Sequence, residues 1–189
     1  MDYHSVALQF KLGVIVNTPG TTVLIVLLLV LLLFSFMLSG AEVAFFSLTH
    51  KDINNLKTKQ QNVYRRIVEL LDEPKKLLGS LLIANSFINT AIIIISNILI
   101  DDLINFNAYM QWAEFLIKVV IVTFLLVMFG EVLPKVMATQ NNIRFAKDVG
   151  GFVELVSYVF GRLSNWLVKY SDVIERKLSN KKNSTLISS

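Results

Sequence analysis

The sequence predicts an all-α membrane protein with three transmembrane helices per subunit, a juxtamembrane amphipathic belt helix on the cytoplasmic side, and its N-terminus outside. Three observations predict this class. Hydrophobic residues make up 54% of the 189 residues and charged residues only 17%, with a mean hydropathy of +0.60. Long uncharged runs alternate with charged connectors, and Lys and Arg concentrate on only some of those connectors. Soluble domains of this length are more charged and less apolar.

The spans are predicted from uncharged runs near the ~20 residues that cross the hydrocarbon of a bilayer. They lie at about 21–40, 77–100 and 116–138. The third span has a short uncharged core, because Lys118 flanks it and Glu131 and Lys135 interrupt it. Lys118 can extend its amine to the headgroup region, so the span is retained. A cleavable signal peptide is the alternative for the first run, which is longer than the usual apolar region of ~7 to 15 residues.

The segment 142–176 is predicted to be the belt helix. Its polar or small residues recur in steps of three and four from Arg144 to Asp172, which makes one polar stripe on a helix. Such a helix lies along the membrane surface; a fourth span is the alternative. The expected organisation is therefore a leader at 1–20, a transmembrane domain at 21–176 and a polar tail at 177–189.

Orientation follows from the distribution of Lys and Arg. The connector between spans one and two has seven of them, the next connector has none, the leader has one, and the chain after Ala138 has eight. Cytoplasmic loops carry the excess of basic residues, so the first connector and the C-terminus are expected to be cytoplasmic. The expected location is the inner (plasma) membrane of a bacterium, as a multi-pass protein.

The composition also argues against several function classes. The chain has no cysteine and only two histidines, so thiolate and histidine metal sites are poorly supplied. No Ser-His-Asp set, histidine pair or phosphate loop is present to support an enzyme. The net charge of +4 is carried by connectors that flank membrane spans, so nucleic acid is not an expected partner.

The candidate functional site is built around Glu131, because a charged side chain at bilayer depth costs at least ~3 kcal/mol and marks function by default. Pro134 has no N–H, so the carbonyl of Gly130, the residue before Glu131, loses its helical donor. At 1.5 Å per residue, oxygen-bearing residues of the other spans reach overlapping depths. Oxygen ligands suit a hard cation such as Mg²⁺, Ca²⁺ or Na⁺. The candidate ligands are Ser39, Gly40, Asn85, Ser86, Asn89, Gly130 and Glu131.

Five of these seven residues have a structural alternative. Asn85 and Asn89 could be hydrogen-bonding contacts between helices, and Ser39 and Gly40 could be small residues that let helices approach. Glu131 and Lys135 are spaced i, i+4 and could form an internal ion pair.

Three stretches of the chain carry a family resemblance. They are SGAEVAFFSL from Ser39, LLIANSFIN from Leu81 and FGEVLPK from Phe129. In this order they resemble the signature stretches of the transmembrane domain of the CNNM/CorC magnesium transporter family, over about residues 20–175.

The resemblance implies a homodimer that exports Mg²⁺, with Na⁺ as the coupling ion, through a dehydrated, inward-facing site. By motif, Ser39, Asn85, Asn89 and Glu131 would be ligands. It also implies cytoplasmic CBS modules after the polar tail, so the chain is expected to be a truncated form. The alternative is a membrane scaffold or regulatory subunit that does not transport and whose intramembrane polar residues are structural.

Overall fold

Three long helices dominate the computed structural model, which describes residues 19–103 and 111–187. They are α1 (Pro19–Phe46), α4 (Pro74–Leu103) and a third that runs from Gln111 to Gln140. All three are long and apolar enough to cross a membrane. The prediction of an all-α protein with three spans is confirmed for the described part of the chain. Most of the predicted leader 1–20, and the middle of the connector after span two, lie outside the described residues.

Helices α1 and α4 extend beyond the uncharged runs that predicted them. α1 continues past Gly40 to Phe46, and α4 begins at Pro74. Proline is well tolerated in the first helical turn, because its missing N–H would have no partner there. The charged residue Glu42 is therefore helical, although hydropathy alone ended the span before it.

The third span changes its helical geometry near its carboxyl end. It consists of α5 (Gln111–Leu125), a π-helical segment (Leu126–Val132) and α6 (Leu133–Gln140). In the π segment the N–H of Leu133 donates to the carbonyl of Met128, five residues back. Pro134 lies in the first turn of α6, where proline is compatible with a helix. The span therefore remains helical through a residue that would break a continuous α-helix.

The charged connector between spans one and two folds into α2 (His50–Lys57) and α3 (Asn62–Leu71). Each short helix buries one large apolar residue, Leu56 and Ile67. A salt bridge of 2.6 Å between Arg66 and Glu154 joins α3 to the last helix. The connector is thus a packed part of the fold.

Helix α7 (Asn142–Ile187) covers the predicted belt helix and continues beyond 176 into the predicted polar tail. No glycine or proline follows Gly161, so no residue type in the sequence forces an earlier end. α7 packs against the spans through aromatic pairs, with ring centroids 5.3 Å apart for Phe152 and Phe34 and 5.9 Å apart for Phe160 and Phe87.

Two apolar clusters stack along the contact between α1 and α4. One, here called the Leu28 layer, consists of Leu28, Ile92 and Leu99. The other, the Leu38 cluster, contains Leu38, Ala41, Leu77, Leu81 and Ala84 among its buried residues. Residues early in α1 thus meet residues late in α4, which makes the two helices antiparallel. Between the two clusters lie the polar residues of α1 from positions 28 to 38 and those of α4 from positions 84 to 92.

Ion pairs join the C-terminal end of span two to the N-terminal part of span three. The amine of Lys118 forms ion pairs with Asp101 at the end of α4 and with Glu114 one turn earlier in α5. The sequence predicted that Lys118 extends its amine to the headgroup region. In the structure the charge of this amine is neutralised by two carboxylates of the protein.

Close packing of α4 on α7 can be tested at Gly79. A Cβ at this position would lie 2.3 Å from Ser164 Oγ, whose hydroxyl donates to the Lys76 carbonyl at 2.8 Å. We expect Gly79→Ala to destabilise the protein by about 1–3 kcal/mol through overpacking. Gly150→Ala is the matched control, because its Cβ would meet only ordinary contacts, the nearest at 3.8 Å, and alanine favours helix by up to about 1 kcal/mol. Thermal unfolding in detergent measures both, and equal melting temperatures would contradict this packing.

Candidate functional site

The hydroxyl of Ser35 lies at the centre of a polar cluster between spans one, two and three. Its Oγ is 2.9 Å from Asn89 Oδ1, 3.4 Å from Asn85 Oδ1 and 3.5 Å from the carbonyl oxygen of Gly130. The four oxygens come from α1, α4 and the π segment, so the cluster is where all three spans meet. This group is called the Ser35 cluster below.

The Ser35 hydroxyl is surrounded by more acceptor oxygens than it has protons. A serine hydroxyl has one proton to donate, and its three neighbours here, two amide oxygens and a carbonyl oxygen, are acceptors. The NH2 groups of Asn85 and Asn89 are donors, but they donate to none of these oxygens. The proton serves Asn89 at 2.9 Å, and the longer contacts to Asn85 and Gly130 have no proton of their own in this arrangement. Several oxygen atoms that point to one place and receive no hydrogen bond can bind a hard cation.

Two members of the cluster are buried and two are partly exposed. Ser35 has 0% of its surface exposed and Gly130 is buried. Asn85, Asn89 and Glu131 are each partly exposed. The Leu38 cluster and the Leu28 layer lie on either side of it along the helices.

Gly130 is required by the close approach of span one to span three. A Cβ on Gly130 would lie 2.8 Å from Ser35 Oγ, which is closer than real Cβ contacts allow. Pro134 follows four residues later and has no N–H to donate to the Gly130 carbonyl. The sequence predicted this free carbonyl, and the structure places Ser35 within 3.5 Å of it.

Glu131 follows Gly130 in the π segment and is partly buried. The sequence left open an ion pair between Glu131 and Lys135. Among the described residues, the salt bridges within 4.0 Å do not include this pair. The carboxylate is therefore not neutralised by the lysine one turn away.

The other predicted ligands lie at different distances from the cluster. Ser39 is one turn from Ser35, and its buried hydroxyl has no hydrogen-bond partner. Gly40 faces α7, where a Cβ would come within 2.3 Å of the Phe145 ring. Ser86 is exposed, and its hydroxyl donates to the Leu82 carbonyl of its own helix. The structure thus brings together Asn85, Asn89 and Gly130, and not Gly40 or Ser86.

Ser35 was not among the predicted ligands. It lies within the uncharged run of span one, and serines in helices commonly donate to the carbonyl four residues back. The available signal was its spacing of four from Ser39, which places both hydroxyls on one face of α1. That signal identifies a polar face but not its partner helix.

The described residues contain no group of three or more His, Asp, Glu or Cys side chains that could hold a metal. A cation at the Ser35 cluster would therefore be bound mainly by uncharged oxygens.

Removing the Ser35 hydroxyl should weaken the junction of the three spans. We expect Ser35→Ala to lower stability by about 1–3 kcal/mol, because it removes the hydrogen bond to Asn89 and the hydroxyl beside the carbonyl of the buried Gly130. Ser86→Ala is the control, since it loses only an exposed bond within its own helix, and it should change stability little. Thermal unfolding in detergent without divalent ions compares the two. An unchanged melting temperature for Ser35→Ala would show that its hydroxyl does not hold the spans together.

Comparison with known proteins adds the family. A search of curated proteins gives no match. The model of the CNNM family, described as the cyclin M transmembrane N-terminal domain, matches residues 25–189. This range includes the Ser35 cluster, most of span one and all of spans two and three, and the family is associated with metal-ion transport across membranes. The chain is therefore a multi-pass membrane protein that belongs to the CNNM family.

Proposed function

We propose that this protein exports Mg²⁺, with Na⁺ as the coupling ion, through a cation site at the Ser35 cluster. The observation that carries this proposal is the convergence of four oxygens from three spans around a single hydroxyl proton. Ser35 lies five residues inside the end of the predicted span at residue 40, or about 8 Å along the helix, which places the cluster at membrane depth.

The ligand count suits Mg²⁺. Octahedral Mg²⁺ takes six oxygens at about 2.0–2.1 Å. Ser35, Asn85, Asn89 and the Gly130 carbonyl would supply four, and the carboxylate of Glu131, the residue after Gly130, would supply the negative charge and a fifth. Ser39, with a buried hydroxyl that has no partner, or a retained water completes the shell.

The charge balance favours release as well as binding. One carboxylate leaves a divalent cation half neutralised, and dipoles of amides and a carbonyl supply the rest. Mg²⁺ loses water reluctantly, so binding is expected to be weak enough for transport. In the proposed cycle, the ion loads from the cytoplasmic side, the side of the basic connector, and leaves on the other side. The belt helix at the inner surface, the homodimer and the cytoplasmic CBS modules belong to the same proposal.

A membrane scaffold is the second candidate function, and one observation favours it. The 2.9 Å hydrogen bond from Ser35 to Asn89 is the kind of polar contact that holds membrane helices together without any ion. The two functions differ in whether the cluster binds a cation.

Ion-dependent stability separates the two candidates. We expect Mg²⁺ to raise the melting temperature of the purified chain in a saturable way, since a ligand at 100 times its Kd stabilises the folded state by about 2.7 kcal/mol. Asn89→Ala and Glu131→Gln should abolish this rise, because they remove a ligand oxygen and the negative charge. The measurement is a thermal-shift titration with Mg²⁺, Ca²⁺, Na⁺ and K⁺.

The matched control is Ser80→Ala, a buried serine of α4 whose hydroxyl donates to the Lys76 carbonyl; it should keep the Mg²⁺ response. A flat response of the unsubstituted protein to every divalent ion would favour the scaffold. A Mg²⁺ response that survives both Asn89→Ala and Glu131→Gln would place the cation elsewhere.

A further inference from the structure

Two buried hydroxyls in the described part of the chain have no hydrogen-bond partner, and they lie on opposite sides of the Ser35 cluster. They are Ser39 and Ser96. Ser39 lies one turn from Ser35 toward Phe46, about 6 Å along α1. Ser96 lies seven residues beyond Asn89 toward Leu103, about 10 Å along α4. Because α1 and α4 are antiparallel, the two hydroxyls extend the cluster in opposite directions along the bundle.

Ser96 faces the same side of α4 as the cluster. A separation of seven residues is close to two helical turns, so Ser96 and Asn89 share a face. Ile92 and Leu99 of the Leu28 layer lie four residues before and three residues after Ser96. Ser96 is 2% exposed, so its hydroxyl is a polar group inside the apolar layer that closes this side of the cluster.

The orientation of the Ser96 hydroxyl contrasts with that of its neighbours. Ser80, Ser86 and Thr90 on the same helix each donate to the carbonyl four residues earlier, at 2.8–2.9 Å. Ser96 could satisfy its hydroxyl in the same way, at Ile92, and does not. An unpaired buried hydroxyl is costly. The Ser96 hydroxyl can therefore interact with a passing ion or with its hydration water.

We propose that Ser96 is a second station on the cation path, which the ion or its hydration water contacts after it leaves the Ser35 cluster toward Leu103. This inference rests on the proposed function. The Leu28 layer would otherwise offer a departing divalent ion only apolar side chains, and a charge is strongly disfavoured there. A hydroxyl within the layer lowers the free-energy barrier that the ion meets there.

The first experiment separates the rate of transport from ion binding. The full chain is reconstituted in vesicles that contain a Mg²⁺-sensitive dye, and initial rates are compared under one imposed gradient. Ser96→Ala should reduce the rate roughly tenfold, the effect of losing one hydrogen bond to a charged group, and leave the Mg²⁺ affinity from thermal-shift titration unchanged. Ser80→Ala, a buried serine of the same helix with a satisfied hydroxyl, should leave both unchanged.

Three results would overturn the assignment while the proposed function stands. One is a normal transport rate in Ser96→Ala with a higher melting temperature, as expected for a merely unsatisfied hydroxyl. Another is a loss of Mg²⁺ affinity along with rate, which would make Ser96 part of the first site. A third is an equal loss of rate in Ser80→Ala. Absence of Mg²⁺ flux in the unsubstituted protein would overturn both proposals.

Accessibility gives an independent readout. The chain has no cysteine, so Ser96→Cys and Ser80→Cys each introduce a single thiol. A cationic methanethiosulfonate reagent should modify Cys at position 96 during transport and not at position 80. No modification at position 96 under transport conditions would overturn the proposed path.

Discussion

The structure depends on one constraint: three membrane spans meet where three acceptor oxygens surround a single hydroxyl. The Ser35 hydroxyl reaches two asparagine oxygens and a main-chain carbonyl, and it has a single proton to share. In water such an excess costs little, but at membrane depth an acceptor without a donor is costly. Either the protein tolerates these unpaired acceptors because the helix contacts stabilise it, or a cation binds to the acceptors.

The packing around this point follows from the same constraint. Span one can approach span three only because Gly130 has no side chain, since a Cβ there would lie 2.8 Å from Ser35 Oγ. Pro134 leaves the Gly130 carbonyl without its usual α-helical donor. Apolar residues close the bundle on both sides, in the Leu28 layer and the Leu38 cluster. The oxygens that meet between all three spans thereby occupy a short section of the bundle.

Much of the fold could be predicted from the sequence, because it follows from local patterns. Uncharged runs gave the three spans, and the stripe from Arg144 to Asp172 predicted a long helix there. The ends of the elements were less predictable. Hydropathy ended span one at Gly40, but this glycine stays helical in contact with Phe145. α7 runs to Ile187, because a polar sequence without glycine or proline can continue a helix.

The candidate site was predicted in part. Depth arguments and motifs selected Asn85, Asn89, Gly130 and Glu131, and the structure groups the first three around one hydroxyl. Ser35 was missed, because the direction in which a serine in an apolar helix points depends on the neighbouring helix. Ser39 and Ser96 show the same limit: burial without a partner is visible only in three dimensions.

The most direct measurement of the central claim is an anomalous difference map from crystals of the protein grown with Mn²⁺, a hard cation that stands in for Mg²⁺. The account predicts a peak within about 2.5 Å of Ser35 Oγ, Asn89 Oδ1 and the Gly130 carbonyl oxygen, the range of metal–oxygen distances for hard divalent ions. A map at saturating Mn²⁺ with no peak at this position, or with peaks only at surface carboxylates, would contradict it.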